Sequence, residues 1–300
     1  MCVVTEMITT ELAHRLIASQ FPQWKDLPIK PVAESGWDNR TFRLGSELVI
    51  RLPSEEVYAF QVEKEQTWLP KLAPLLPCAI PTPVAMGQPS DEYPWHWSIY
   101  RWIEGEMILK EGPFDRVAYA KDLAAFLNAL HQIDPSEGPK PGLHSFYRGG
   151  LLSHYDHEIQ ESLALLQGTI DCEKARAIWD QGLNTQWTNN PVWVHGDLSA
   201  PNLLARNGKL AAVIDFGQLT TGDPACDLSI AWTLFEGASR AAFRAALPLD
   251  DATWQRGRAW TLWKALIIAS GLAKAVPRET AQCRPVLRQV MNQDPLDRLF

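Results

Sequence analysis

Apolar residues first recur with a helical period. Ile8, Leu12, Leu16 and Ile17 share one face behind Thr9 and Thr10, which predicts an N-terminal helix opened by a threonine. From Ile29 the period shortens to that of a strand. Residues 29–33, 41–44 and 48–52 predict three short strands joined by Ser35-Gly36-Trp37-Asp38-Asn39 and Gly45-Ser46-Glu47, both rich in turn formers. Pro53-Ser54-Glu55-Glu56 then opens a helix, with acids where the helix dipole favours them, expected to end near Leu69, before Pro70. Prolines 70, 74, 77, 81, 83, 89 and 94 exclude a long helix in the next stretch, and strands are expected at 83–86 and 97–102. After Gly105 the helical period returns. Residues 114–133 carry an apolar stripe of Val117, Leu123, Phe126, Leu127 and Leu130, and further helices are expected at 151–166 and 172–183. A short β segment is expected at 192–195, 203–205 and 210–214, and from Pro224 the chain reads as helical again, with 254–274 the longest candidate.

Strands therefore dominate the first hundred residues and helices the rest, with the change near 102–105. That order reads as an α+β chain. At 300 residues it is long enough for one large domain or for two lobes sharing a cleft. The net charge of −7 argues against nucleic acid as a partner and is compatible with a cationic small molecule. Five widely spaced cysteines with no C-x-x-C predict neither a disulfide framework nor a zinc site. No leader pattern opens the chain, and no apolar run reaches the ~18 residues a membrane span requires. A cytoplasmic protein, monomer or homodimer, is the expectation.

The chemistry concentrates in His195-Gly196-Asp197-Leu198-Ser199-Ala200-Pro201-Asn202, followed by Ile214-Asp215-Phe216-Gly217. Asp197 follows the apolar run Val192-Trp193-Val194, so it can emerge at a strand end, orient a substrate hydroxyl and accept its proton. A lone Asp in a turn more often caps its own loop. Asn202 and Asp215, in this order, shift the balance, because an amide oxygen and a carboxylate are hard ligands suited to Mg²⁺. His195 is expected to hydrogen-bond backbone near Asp215, and Asp227 to brace the loop from a helix start. His154 and His157 lack a third ligand for a metal site.

These residues resemble the aminoglycoside phosphotransferase family within the protein-kinase-like fold. Ser35-Gly36-Trp37-Asp38-Asn39, Arg51-Leu52-Pro53, Glu65 with Trp68-Leu69, Tyr100-Arg101-Trp102-Ile103 before Gly105, the HGD loop and the stretch from Ile214 to Leu228 fall in family order. The resemblance implies a bilobal fold: a small antiparallel-sheet N-lobe over 1–101, a hinge over 102–105 and a larger helical C-lobe over 106–300. It implies a nucleotide, ATP or GTP, and Mg²⁺ held by Asn202 and Asp215. Ser35, Gly36 and Asn39 would cover the phosphates. Arg51 stands where the family carries a lysine on the α/β-phosphates and would steady them, with Glu65 as partner and Glu63 in reserve; arginine keeps the charge but differs in reach and shape. Arg101, Trp102 and Ile103 would reach the base.

The acceptor would be a small molecule bound by the helical lobe. An aminoglycoside would need several of Asp156, Glu158, Glu161, Asp223, Glu236, Asp250 and Asp251 to converge, with Asp294 and Asp297 as a further acidic segment. Macrolides, amino alcohols, homoserine-like metabolites and sugars are alternatives, and antibiotic resistance is one outcome. Trp232, Trp254, Trp260 and Trp263 are expected in the core. A non-catalytic nucleotide-binding regulator is the rival from another class, although the base and both metal ligands are retained. A protein kinase would want a double-glycine loop and an A-P-E motif, both missing.

Overall fold

The computed structural model describes residues 8–32, 36, 38–108 and 114–292. Helix α1 (Thr10–Gln20) starts where the Thr9 hydroxyl accepts the Leu12 N–H, and it buries Leu12, Ala13, Leu16 and Ile17. Strands β1 (Ile29–Pro31), β2 (Asn39–Leu44) and β3 (Leu48–Pro53) follow, then α2 (Glu56–Leu72), β4 (Pro83–Gly87) and β5 (Trp97–Arg101). The five strands form one antiparallel sheet in the order β1-β2-β3-β5-β4.

Strand alternation explains how this sheet serves two cores. Leu48, Ile50 and Leu52 point to one side and pack with Leu16, Ile17, Phe42 and Trp97 in a core shared with α1. Val49 and Tyr100 belong instead to the second, larger core, together with Leu69 and Leu72 of α2 and most of the helical region. Each such side chain, fully buried, contributes about 1.5–3 kcal/mol. Helix α2 runs three residues past its expected end, through Pro70. A proline in the last turn removes one helical hydrogen bond only, and the complete burial of Leu69 with the near-complete burial of Leu72 holds that turn in place.

Beyond Arg101 the chain crosses to a three-stranded sheet, β6-β8-β9, and a two-stranded one, β10-β7. The elements in order are β6 (Glu106–Met107), α3 (Arg116–Gln132), α4 (Asp156–Leu165), α5 (Cys172–Leu183), β7 (Val192–Val194), β8 (Leu203–Arg206), β9 (Lys209–Val213) and β10 (Thr220–Gly222). Helices α6 (Ile230–Thr233), α7 (Gly237–Ala246), α8 (Asp251–Ala269) and α9 (Pro277–Met291) complete the fold. The single helix expected over 151–166 is instead a 3₁₀ turn at Leu152–Tyr155 leading into α4. Helix α8 is capped by Asp250, which accepts from Thr253 N–H at 2.7 Å, and α9 is a separate helix. The residue runs that leave β7 (195–202) and β9 (214–219) lie against each other, His195 Nε2 meeting Ile214 O at 3.0 Å and Ile214 N donating to Asn202 O. Among the described residues, no helix is long and apolar enough to cross a membrane.

Candidate active site

A cleft of about 540 Å³ opens between the sheet region and the helices. Asp197, Asn202 and Asp215 all line it. Hydrogen bonds to main-chain oxygens tie Asp197 to Asn202 and Asn202 to the residue before Asp215. Asn202 Nδ2 donates to Asp197 O at 2.8 Å, and Ile214 N donates to Asn202 O at 2.8 Å. The amide group of Asn202 is thereby oriented by its nitrogen, with its oxygen at the opposite end. Asp215 sits at φ 68°, a left-handed conformation that Asp tolerates better than most residues, and one found at functional turns.

The loop before Asp197 is held from beneath. Asp227, fully buried in a 3₁₀ turn at Pro224–Ser229, accepts the N–H groups of His195 and Gly196, each at 2.8 Å. Burial, the largest influence on this carboxyl, pushes it above the usual carboxylate range, against the neighbouring His195 and the two N–H groups. His195 is fully buried. Asp197 N–H donates to its Nδ1 at 3.2 Å, so Nδ1 is the acceptor and Nε2 carries the hydrogen toward Ile214 O at 3.0 Å. Gly196 adopts φ 87°, and a Cβ there would lie 2.5 Å from Gln218 O. Only glycine fits.

Two cations hold the acidic groups. Arg51 Nη2 lies 2.6 Å from Asp215 Oδ1, with Glu65 at 3.5 Å and Asp38 at 3.7 Å. Glu65 also accepts from the Tyr100 hydroxyl. Burial pushes Asp38 up to about 7, with the nearby Asp215 carboxylate adding to the effect and Arg51 opposing it. On the opposite wall, Lys264 Nζ of α8 stands 3.0 Å from Asp197 Oδ1 and 3.9 Å from Glu279 of α9. Burial, the largest influence on Asp197, would raise its carboxyl. Lys264 and Arg148 together outweigh it, and Asp197 lies below the usual carboxylate range.

Mg²⁺ can be judged against these donors. The Asn202 amide oxygen and the second carboxylate oxygen of Asp215 are hard donors, and Mg²⁺ typically takes one or two carboxylates plus phosphate oxygens and water. Among the described residues the buried Oε1 atoms of Gln61 and Gln218 have no hydrogen-bond partner, and both residues line the same cleft. Such orphaned acceptors suit a hydrated cation. The residues present fit the ion. Among the described residues no cluster of three or more His, Cys, Asp or Glu could hold a metal, and a site shared with phosphate oxygens does not need one.

Residues 29–260 match the APH phosphotransferase enzyme family. The chain belongs to that family. Wild-type aminoglycoside 2′-phosphotransferase-IIIa, solved with GDP, superposes with a TM-score of 0.71 at 20% identity over 94% of this chain and 98% of that one. A macrolide 2′-phosphotransferase from Brachybacterium faecium, solved as the apoenzyme, gives 0.62 at 20% identity over 92% and 98%. A type I macrolide 2′-phosphotransferase gives 0.61 at 20% identity over 93% and 96%. At these identities the likeness speaks for the fold. No curated protein matches the chain by sequence.

The remaining expected residues distribute unevenly. Ser35, with Trp37, lies outside the described residues, as do Asp294 and Asp297. Gly36 and Asp38 line the cleft, whereas Asn39 is buried in β2 opposite Pro53. Arg101 ends β5; Trp102 N–H donates to Glu47 O at 2.7 Å, and the Arg43 guanidinium lies 3.9 Å over the Trp102 ring. Of the described acids considered for an acceptor site, only Glu158 lines the cleft. Asp223 pairs with Arg256 at 2.6 Å, Asp251 with Arg244 at 2.7 Å and Glu236 with Arg116 at 3.1 Å. Asp156 accepts from Trp179 at 2.8 Å, Glu161 faces His157 at 3.9 Å and Asp250 caps α8. Trp260 and Trp263, expected in the core, are largely buried yet line the cleft, while Trp232 and Trp254 pack against each other away from it.

Sequence reasoning did not single out Lys264, Arg148, Gln61 or Gln218. Lys264 is 67 residues from Asp197 along the chain, and nothing local marks it. The one signal was Gln218, the residue directly after the D-F-G triplet.

Proposed function

We propose that this protein transfers the γ-phosphoryl group of ATP or GTP to a hydroxyl of a small molecule. The observation behind this reading is that Asp197, Asn202 and Asp215 line one cleft in a chain of the phosphotransferase family. The acceptor oxygen forms a bond to the γ-phosphorus, the bond from that phosphorus to the β-γ bridging oxygen breaks, and a nucleoside diphosphate leaves. Asp197 orients the hydroxyl and receives its proton. A carboxyl held below the usual range is ionised throughout the neutral pH range, so it is ready as an acceptor but weak as a base. This favours a role weighted toward orientation, with proton transfer late. Asn202 and Asp215 would hold Mg²⁺, which would neutralise charge on the β- and γ-phosphoryl oxygens.

Arg51 positions Asp215 and, through Glu65, links the sheet to α2. Gly36 belongs to the turn over the phosphates. Residues 1–101 form the nucleotide lobe, 102–105 the hinge and 106–300 the acceptor lobe. Because Trp102 N–H is already spent on Glu47 O, the Trp102 carbonyl and the Ile103 N–H are the hinge groups that can meet a base. Coupled release of ADP or GDP, measured with amino alcohols, sugars, macrolides and aminoglycosides, tests the reading. Acceptor-dependent turnover that vanishes in Asp197→Ala supports it. Turnover unchanged in that variant contradicts it.

A further inference from the structure

Resting on this phosphotransferase reading, the acceptor wall narrows the substrate class. It is built from α8 and α9. Trp263, Ile267 and Ile268 of α8 face Val286 of α9 across the cleft, with Val276 just before α9. An apolar body suits that wall. Two acids beside it, one from α4 and one from α9, each hold a neighbour. Glu158 accepts the Trp263 indole N–H at 2.7 Å, and Glu279 accepts Val276 N–H at 3.3 Å at the start of α9 besides facing Lys264. Among the described residues, the carboxylates nearest that wall, Glu158, Glu279 and Asp197, each already have a donor or a cation beside them.

The cations are placed differently. Arg148 is 8% exposed and lines the cleft. Its Nε donates to Gly196 O at 3.1 Å and its Nη1 to the Tyr155 hydroxyl at 3.3 Å and, more weakly, to Phe146 O at 3.5 Å. Its guanidinium stands 4.6 Å from the Trp263 ring centroid and 5.2 Å from that of Trp260. Among the described residues no carboxylate lies within ion-pair distance of it. A buried guanidinium with no direct ion-pair contact among the described residues is costly, and the cleft is where an anion can reach it. Arg148 is close enough to act on both Asp197 and Lys264 electrostatically.

We propose that the acceptor is a largely apolar alcohol bearing one anionic group, a carboxylate or a phosphate, bound against the α8–α9 wall with its anion toward Arg148 and Lys264. The hydroxyl then meets Asp197 from the same side. Guanidinium and ammonium together recognise either anion, as a fork and a point charge respectively.

The test is calorimetric titration of the full chain, with and without Mg²⁺ and a non-hydrolysable ATP analogue. The probes are para-(hydroxymethyl)benzoate, its methyl ester, para-(hydroxymethyl)benzylphosphonate, para-(hydroxymethyl)benzylamine and kanamycin. One or both anionic probes should bind about tenfold or more tighter than the ester, and the amine and kanamycin more weakly still. Which anion wins separates carboxylate from phosphate recognition. Lys264→Gln and Arg148→Gln should each bring the anion-to-ester ratio toward one. Lys264 is partly exposed, so Lys264→Gln decides the matter if the Arg148 variant does not fold. Equal binding of anion and ester, preference for the amine or kanamycin, binding of no probe, or a ratio unchanged by Lys264→Gln overturns the proposal. Failure of the nucleotide analogue to bind, seen before any probe is added, counts separately against the phosphotransferase reading.

Discussion

Lys264 Nζ lies 3.0 Å from Asp197 Oδ1, so the carboxylate assigned to receive the substrate proton already has a cation beside it. Two consequences can be measured. Asp197→Asn should lower turnover by about 10²–10⁴ while leaving nucleotide affinity in place. Lys264→Gln removes the leading influence that lowers the Asp197 carboxyl, so that carboxyl should titrate at higher pH. The acidic limb of kcat/KM should then move to higher pH than in the wild type. An unmoved limb would show that Asp197 does not govern it.

Arg51 is the cation shared by Asp215, Glu65 and Asp38, at 2.6, 3.5 and 3.7 Å. Arg51→Met should destabilise the fold by about 3–5 kcal/mol, because it strands acidic groups that are largely buried. Arg51→Lys should cost less, since the charge remains but the two-sided grip is lost. Urea denaturation monitored by tryptophan fluorescence gives both numbers. A loss below ~1 kcal/mol for the methionine variant would mean that the three acids find other partners.

Asp227 accepts two backbone N–H groups within a fully buried site. Asn at this position offers one oxygen and turns an NH₂ group toward the second N–H. Asp227→Asn should cost about 1–3 kcal/mol of stability and lower kcat while nucleotide affinity stays close to wild type. Calorimetric nucleotide titration beside steady-state kinetics separates the two effects.

His131, in the last turn of α3, is held down to about 4 by burial, from an ordinary value of 6.5, and its Nε2 has no partner among the described residues. Between these values the unfolded chain binds a proton that the folded one does not. Stability from this residue is therefore full above pH 6.5 and is lost as pH falls toward 4. His131→Gln should flatten that acid-side slope by on the order of 2 kcal/mol across the window. Urea midpoints measured at several pH values check it, and parallel slopes for the two proteins would refute it.

The kinase-like fold was legible because its signals are local. Strand alternation in 48–52, the helical stripe of α3 and the fixed spacing of Asp197, Asn202 and Asp215 are each written in adjacent residues. Strands β6 and β10 were not legible, being two and three residues long and defined by their partners. Pro70 misled because a proline signals a helix end locally, while the burial of Leu69 and Leu72 is a tertiary fact. Lys264 and Arg148 escaped for the same reason. One sits in a helix buried on most sides, the other in a loop, and only the folded chain brings them to Asp197. Trp260 and Trp263 show the limit of reading aromatic spacing, since a cleft wall and a core have the same period.

The most direct test of the central claim is electron paramagnetic resonance with Mn²⁺ in place of Mg²⁺, titrated with a non-hydrolysable ATP analogue. Wild-type protein should bind the Mn²⁺–nucleotide complex, and Asn202→Ala and Asp215→Asn should each weaken it by tenfold or more. Equal binding by all three proteins would contradict the assignment of Asn202 and Asp215 to the metal, and with it the account of the cleft.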